Sequence, residues 1–206
     1  MNSLFLIVPI LLPIILGALS FVIPADKKKQ RNAFVMFTIL CSSVSVWLLA
    51  LNSPQESLVV LNFTDNLSFV LKLDGAGKIF SCLSATLWPL TALYAFEYMS
   101  HEKNLPMFYA FFTMSFGATM GIAMAANILT MYLFYELLTL FTIPLVMHGL
   151  TKKHNQAARK YMTYSIGGAA FAFAGVAFLI VNDANDFIFG GSIMEMAKGT
   201  TANKIN

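Results

Sequence analysis

The chain has 206 residues, of which 58% are hydrophobic and 11% are charged, with a formal net charge of +3. Soluble domains carry about 25% charged residues, so this composition excludes an ordinary soluble domain. The small positive excess bears on orientation in a membrane and does not indicate nucleic acid as a partner.

Apolar runs of about 18 or more residues predict transmembrane helices, and several follow one another along the chain. The predicted helices cover residues 4–23, 33–51, 77–96, 107–127, 129–150 and 160–181. The first run follows no positive residue and is too long for a signal-peptide core, so we interpret it as a retained helix. The sequence predicts an all-α membrane protein with one transmembrane domain, 1–206, a bundle of about six helices.

Two segments break the helical pattern. Apolar residues flank a turn-forming cluster within 58–73, which predicts a β-hairpin on the membrane surface. Residues 182–206 are polar and contain several charges, and they predict a loop or a weak surface helix.

Basic residues are distributed unevenly between the two sides of the predicted bundle. Nine lie on one side (Lys27, Lys28, Lys29, Arg31, Lys103, Lys152, Lys153, Arg159 and Lys160), and four lie on the other (Lys72, Lys78, Lys198 and Lys204). Loops rich in Lys and Arg stay cytoplasmic. We therefore predict a multi-pass protein of the cell inner or another energy-transducing membrane, with both termini outside.

Small residues recur at helical spacing in helices 4 and 6. They are Gly117, Gly121 and Ala125 in helix 4, and Gly168, Ala172 and Gly175 in helix 6. Such faces let helix backbones approach closely. We interpret them as contacts of a bundle, and as surfaces where a further polypeptide can dock.

Glu136 is the candidate for chemistry, because it lies near the middle of helix 5 while the other charges lie near span ends. A charge at that depth costs about 2.5–3.5 kcal/mol and is typically retained for a proton relay, an ion path or a buried ion pair. Tyr132 and Thr139 share its helical face, and Pro144 removes a backbone hydrogen bond nearby. A hydrated proton path is one interpretation; a glutamate that only locks helices together, with a simple proline kink, is the other.

Two basic side chains are further candidates for the path. Lys160, at the start of predicted helix 6, is either a positive-inside anchor or a proton-relay lysine. His148, near the end of helix 5, either extends the path or packs at the interface.

The sequence also predicts what the chain lacks. Cys41 and Cys82 both lie in apolar runs, without disulfide or metal-ligand spacing. No phosphate loop, metal cluster or nucleophile–base pair is present. We predict no cofactor, no metal and no catalytic centre of its own.

Four segments resemble the antiporter-like proton-translocating subunits of complex I, energy-converting membrane-bound hydrogenases and Mrp cation/proton antiporters. They are 71–75 (LKLDG), 94–99 (YAFEYM), 129–146 (LTMYLFYELLTLFTIPLV) and 158–164 (ARKYMTY). The resemblance implies a proton-path role for Glu136 and Lys160, and it implies the N-terminal part of a fold built from inverted repeats. The family's seventh-helix lysine, which pairs with the helix 5 glutamate, has no counterpart here.

The resemblance therefore implies a split or truncated form of such a protein, surrounded by lipids and other membrane subunits, one of which supplies the missing lysine. The leading hypothesis is a proton- or cation-translocating subunit of a redox-driven complex related to complex I or the hydrogenases. The alternatives are a subunit of an Mrp-type antiporter and a non-conducting scaffold of the membrane arm.

Overall fold

A computed structural model describes residues 3–24, 26–52, 56–64, 67–100, 104–148 and 152–182. Within these residues, six helices are long and apolar enough to cross a membrane, which confirms the predicted membrane fold. The first span, Ser3–Val22, comprises a short 3-10 turn, the helix α1 (Val8–Leu19) and a second 3-10 turn. The other elements are α2 (Lys28–Asn52), β1 (Leu58–Thr64), β2 (Leu67–Leu71), α3 (Gly75–Tyr98), α4 (Leu105–Ala123), α5 (Ile128–Val146) and α6 (Lys152–Val181).

Helix α4 is the centre of the bundle, with 61% of its span buried. It packs most extensively against α1 and α5 and also meets α2 and α3. A Cβ on Gly117 would collide with the backbone carbonyl of Ile10 in α1. The small face of α4 therefore serves close packing inside this chain, and it is not a docking surface for another polypeptide.

The hairpin is bonded to the joint between α4 and α5. Strands β1 and β2 pair antiparallel, and Leu71 forms a bridge with Ala125. The amide of Lys72 donates to the Met124 carbonyl at 2.8 Å, and the amide of Ala126 donates to the Val70 carbonyl at 3.0 Å. Because the backbone of residues 124–126 pairs with the hairpin, α4 ends at Ala123 and not near residue 127 as predicted. Ala125 accordingly lies outside the helical face assigned to it.

Other helix ends also differ from the apolar runs. Helix α2 begins at Lys28, five residues before the predicted start, and α6 begins at Lys152, eight residues before it. Charged residues end a hydrophobic run, but Lys and Arg are good helix formers and continue the helix into water. Helix α5 ends at Val146 and not at residue 150. The predicted polar tail lies, apart from Asn182, outside the described residues.

Helix α6 is the least buried of the six, with 11% of its span covered. It packs along α5. A Cβ built on Gly168 or Gly175 meets nothing within 4 Å, and Phe171 is 84% exposed. Unlike the face of α4, the small face of α6 is open in the described part of the chain.

Candidate functional site

The start of α5 is fixed by Asn127, which is 1% exposed. Its side-chain oxygen accepts from the amide of Thr130 at 2.8 Å, and its side-chain nitrogen donates to the Ser68 carbonyl at 2.7 Å. The hydroxyl of Thr130 accepts from the Val70 amide at 3.0 Å. The cap satisfies amides that every helix start leaves free. It also ties the first turn of α5 to the hairpin, which sets the depth of the residues that follow.

Phe134 fixes the rotation of α5. Its ring lies against Gly121 of α4, where no side chain intervenes, and it contacts the ring of Phe69 with centroids 5.4 Å apart. Two residues along a helix correspond to a turn of about 200°. Glu136 therefore points away from α4, while Phe134 points into the packed core.

Glu136 is the ninth of 19 residues in α5, so it lies about 12 Å from the helix start and near the middle of the span. Its carboxyl is half-buried, and one oxygen, Oε1, is inaccessible and forms no hydrogen bond with any described residue. The hydroxyl of Tyr132, one turn away, is close enough to the carboxyl to hydrogen-bond with it, which leaves Oε1 as the unpaired oxygen. A buried oxygen without a partner is costly for a charged carboxylate.

Polar side chains form a seam where α5 meets α6. The Tyr132 hydroxyl donates to the Ala169 carbonyl at 3.3 Å. Nearer the end of α5, the hydroxyls of Thr142 and Tyr161 are 2.7 Å apart. Thr139 donates to a carbonyl of its own helix, that of Tyr135, at 3.1 Å. Hydroxyls thus lie on both sides of Glu136 along the helix, and Thr142 and Tyr161 are two that were not predicted from the sequence.

The flank of Glu136 that faces away from α6 is open and apolar in the described part of the chain. Leu133 and Leu140 lie beside it on the helix surface and are 41% and 60% exposed. On the flank that faces α6, an apolar cavity of about 430 Å³ lies between α5 and α6 near Tyr132. Met131, Tyr135 and Gly175 are among the residues that line it. The carboxyl therefore lies at the edge of the bundle that the described residues form.

Lys160 and His148, the two further candidates, lie in different surroundings. Lys160 is the ninth residue of α6, not the first, and it is exposed, so no partial burial within this chain supports the relay interpretation. His148 follows α5 and is 8% exposed, and its ring lies edge-on to Phe108 with centroids 5.3 Å apart. This contact favours packing. His148 lies twelve residues beyond Glu136, or about 18 Å along a helix axis.

One buried cation was not predicted from the sequence. Arg31, assigned to a polar joint, lies in the first turn of α2 and is 1% exposed. Its guanidinium lies 5.5 Å from the ring centroid of Tyr109, whose hydroxyl donates to the Ala95 carbonyl at 3.0 Å. Cation–π contacts of this kind stabilise a desolvated arginine. Because hydropathy treats every arginine as polar, no sequence signal marks this one as buried.

The described residues contain no group of three or more ligand-type side chains that could hold a metal ion. The reactive groups along the seam between α5 and α6 are one carboxyl, that of Glu136, and several hydroxyls. A carboxyl in an apolar span can accept, hold and release a proton, and hydroxyls can pass protons on because each both donates and accepts.

Comparisons with known proteins show which sequences and folds this chain is similar to. No family model matches the chain. The A/B subunit of a probable K(+)/H(+) antiporter from Rhizobium meliloti is 31% identical over 111 residues, which is 53% of this chain and 11% of that protein. The A1 subunit of an Na(+)/H(+) antiporter from Staphylococcus aureus is 28% identical over 116 residues, 56% of this chain and 14% of that protein. The matched part is thus a small fraction of each relative.

Solved structures show the same fold over most of the chain. A chain of the archaeal membrane-bound sulfane sulfur reductase matches with a TM-score of 0.75 and 17% identity, over 90% of this chain and 38% of that one. The Mrp complex from Dietzia gives 0.74 and 13% identity, over 88% of this chain and 20% of that one. Respiratory complex I from Thermus thermophilus gives a TM-score of 0.69 and 18% identity, over 88% of this chain and 38% of that one. The chain therefore has the fold of these membrane subunits over most of its length, and about half of it is similar in sequence to antiporter subunits.

Proposed function

We propose that this chain is a proton-translocating subunit of a multisubunit membrane complex, in which the carboxyl of Glu136 takes up and releases protons in mid-membrane. The observation that carries the proposal is the inaccessible Oε1 of Glu136, which has no hydrogen bond from any described residue. A carboxyl at this depth costs about 2.5–3.5 kcal/mol on insertion scales. A glutamate with both oxygens paired would serve as a structural lock, whereas here one oxygen, Oε1, has no partner among the described residues and is left to accept a proton.

The open flank beside Glu136 supports the presence of a neighbouring membrane helix at this position. A charged carboxylate there needs a cation or hydrogen-bond donors, and the apolar surface of Leu133 and Leu140 leaves room for a helix that brings them. We propose that a further membrane helix supplies an intramembrane lysine against this flank. Lys160, at the exposed side of α6, would modulate the path, and His148 would remain a packing residue.

Two driving reactions are candidates, and each has its own support. The curated relatives named above are subunits of Na(+)/H(+) and K(+)/H(+) antiporters, which favours cation/proton exchange. The fold also matches a chain of the sulfane sulfur reductase, with a TM-score of 0.75, and one of complex I, with a TM-score of 0.69, which favours coupling to a redox reaction. Proton transfer through Glu136 is common to both.

The proposal is tested on the native complex reconstituted in liposomes, with an internal pH dye to follow proton flux. Glu136→Gln removes the titrating group and keeps its size, and it should abolish flux while the amount of assembled complex is unchanged. Glu136→Asp retains a carboxyl and should retain part of the flux. The matched control is Glu97→Gln, because Glu97 is an exposed carboxyl near the end of α3.

A normal flux in Glu136→Gln would contradict the proposal and favour a scaffold that fills the membrane arm. The nature of the complex is tested separately by identifying the proteins that copurify in mild detergent. Iron–sulfur or nickel proteins would support redox coupling, and further antiporter subunits without them would support cation exchange.

A further inference from the structure

The hydroxyls of Thr142 and Tyr161 form a bridge between α5 and α6. Their oxygens are 2.7 Å apart, and either can be the donor. Thr142 also lies 2.9 Å from the carbonyl of Thr139 in its own helix. Because a threonine hydroxyl has one proton and two lone pairs, Thr142 can accept from Tyr161 while its own proton alternates between that carbonyl and another acceptor.

This pair lies between Glu136 and the basic end of the bundle. Thr142 is six residues beyond Glu136, which is about 9 Å along the helix axis. Tyr161 is half-buried and follows the exposed Lys160 in α6. The pair is therefore nearer the basic end of the bundle than Glu136 is.

Thr139 lies between this pair and Glu136 along the same side of α5. It is three residues from Thr142 and three from Glu136, and side chains three apart are neighbours on a helix surface. Its hydroxyl donates to the Tyr135 carbonyl at 3.1 Å, and its lone pairs can accept from a further donor. The carbonyl of Leu140, which Pro144 leaves without its helical hydrogen bond, lies on the opposite side of α5 from Thr142 and takes no part.

We propose that Tyr161 and Thr142 are a relay that delivers protons from the basic side, through Thr139, to Glu136; this inference rests on the proposed function. Tyr161 takes a proton from a hydronium ion at the basic side, which becomes water, and passes its own to Thr142. Thr142 passes its proton to the Thr139 hydroxyl, directly or through water, and Thr139 passes its own to the Glu136 carboxylate. All three hydroxyls end neutral, and one proton has moved from hydronium to the carboxylate.

The test measures proton flux in liposomes that contain the native complex. Thr142→Val and Tyr161→Phe each remove a hydroxyl and nearly preserve the shape. Each should slow the flux about tenfold or more, since positioned proton transfer contributes at least that much. The double variant should be no slower than the slower single variant, because two members of one relay do not act independently. Thr142→Ser retains a hydroxyl and should retain the flux.

Controls come from the same turn of α6. Thr163 donates only to a carbonyl of its own helix among its described contacts, that of Arg159 at 2.9 Å, and Tyr164 is 79% exposed. Thr163→Val and Tyr164→Phe should therefore leave the flux unchanged. The amount of assembled complex is measured for every variant, so that a loss of flux is not confused with a loss of protein.

Wild-type flux in Thr142→Val or Tyr161→Phe would overturn the relay, as would a Thr142→Ser variant that is as slow as Thr142→Val. Glu136→Gln is included in the same series. If it alone abolishes flux, the relay fails and the role of Glu136 stands. If Glu136→Gln pumps normally, the proposed function fails and the relay fails with it.

Discussion

Replacing Gly121 with alanine tests whether the contact between α4 and α5 positions Glu136. A Cβ at Gly121 would lie 2.5 Å from Cγ of the Phe134 ring and nearer still to two other ring carbons. Ordinary van der Waals contact begins at 3.4 Å, so the ring has to withdraw by roughly 1 Å, an overpacking change that typically costs about 1–3 kcal/mol. Helix α5 moves with the ring, and Glu136 moves with the helix.

The free energy of unfolding is measured by titrating the folded chain in mixed micelles with dodecyl sulfate and following tryptophan fluorescence. Gly168→Ala is the matched control, because a Cβ there meets nothing within 4 Å. We expect it to be as stable as the wild type or up to about 1 kcal/mol more stable, because alanine favours a helix over glycine. If Gly121→Ala is as stable as Gly168→Ala, the tight contact between Gly121 and Phe134 does not exist and the orientation inferred for Glu136 loses its basis.

Two further predictions concern the start of α5 and the orientation in the membrane. Asn127→Ala removes a buried helix cap and should lower the free energy of unfolding by about 0.5–2 kcal/mol, whereas Asn52→Ala, at an exposed helix end, should have less effect; equal losses in the same titration would contradict the role of the cap. Cysteine probes at Ser57 should react with an impermeant thiol reagent in intact cells, and probes at Lys28 should not, because basic loops stay cytoplasmic. The reverse labelling pattern would show that the charge distribution does not set the orientation.

The existence of the helices could be predicted from sequence because long apolar runs have few alternatives in a bilayer. The residues at which the helices begin and end could not be predicted in this way. Helix α4 stops at Ala123 because the next residues pair with the hairpin, and this depends on strands more than fifty residues earlier in the chain. Helix α6 begins at Lys152 because a helix can continue into water where the hydrophobic signal has ended.

The candidate site was predictable to the extent that it depends on one residue. Glu136 is distinctive in sequence because a carboxyl in mid-span is rare. The bridge from Thr142 to Tyr161 depends on the register of α5 against α6, which two individually ordinary hydroxyls do not reveal. The small residues of helices 4 and 6 looked alike in sequence, yet Gly121 is packed and Gly168 is open, because only the former faces another helix of the described chain.

The central claim is that Glu136 changes its protonation state while the complex works. Infrared difference spectroscopy of the reconstituted complex, at rest and energised, detects the carbonyl stretch of a protonated carboxyl directly. We predict a carboxyl band that changes on energisation, shifts with isotopic labelling of glutamate and disappears in Glu136→Gln. An identical difference spectrum in the wild type and in Glu136→Gln would contradict the claim.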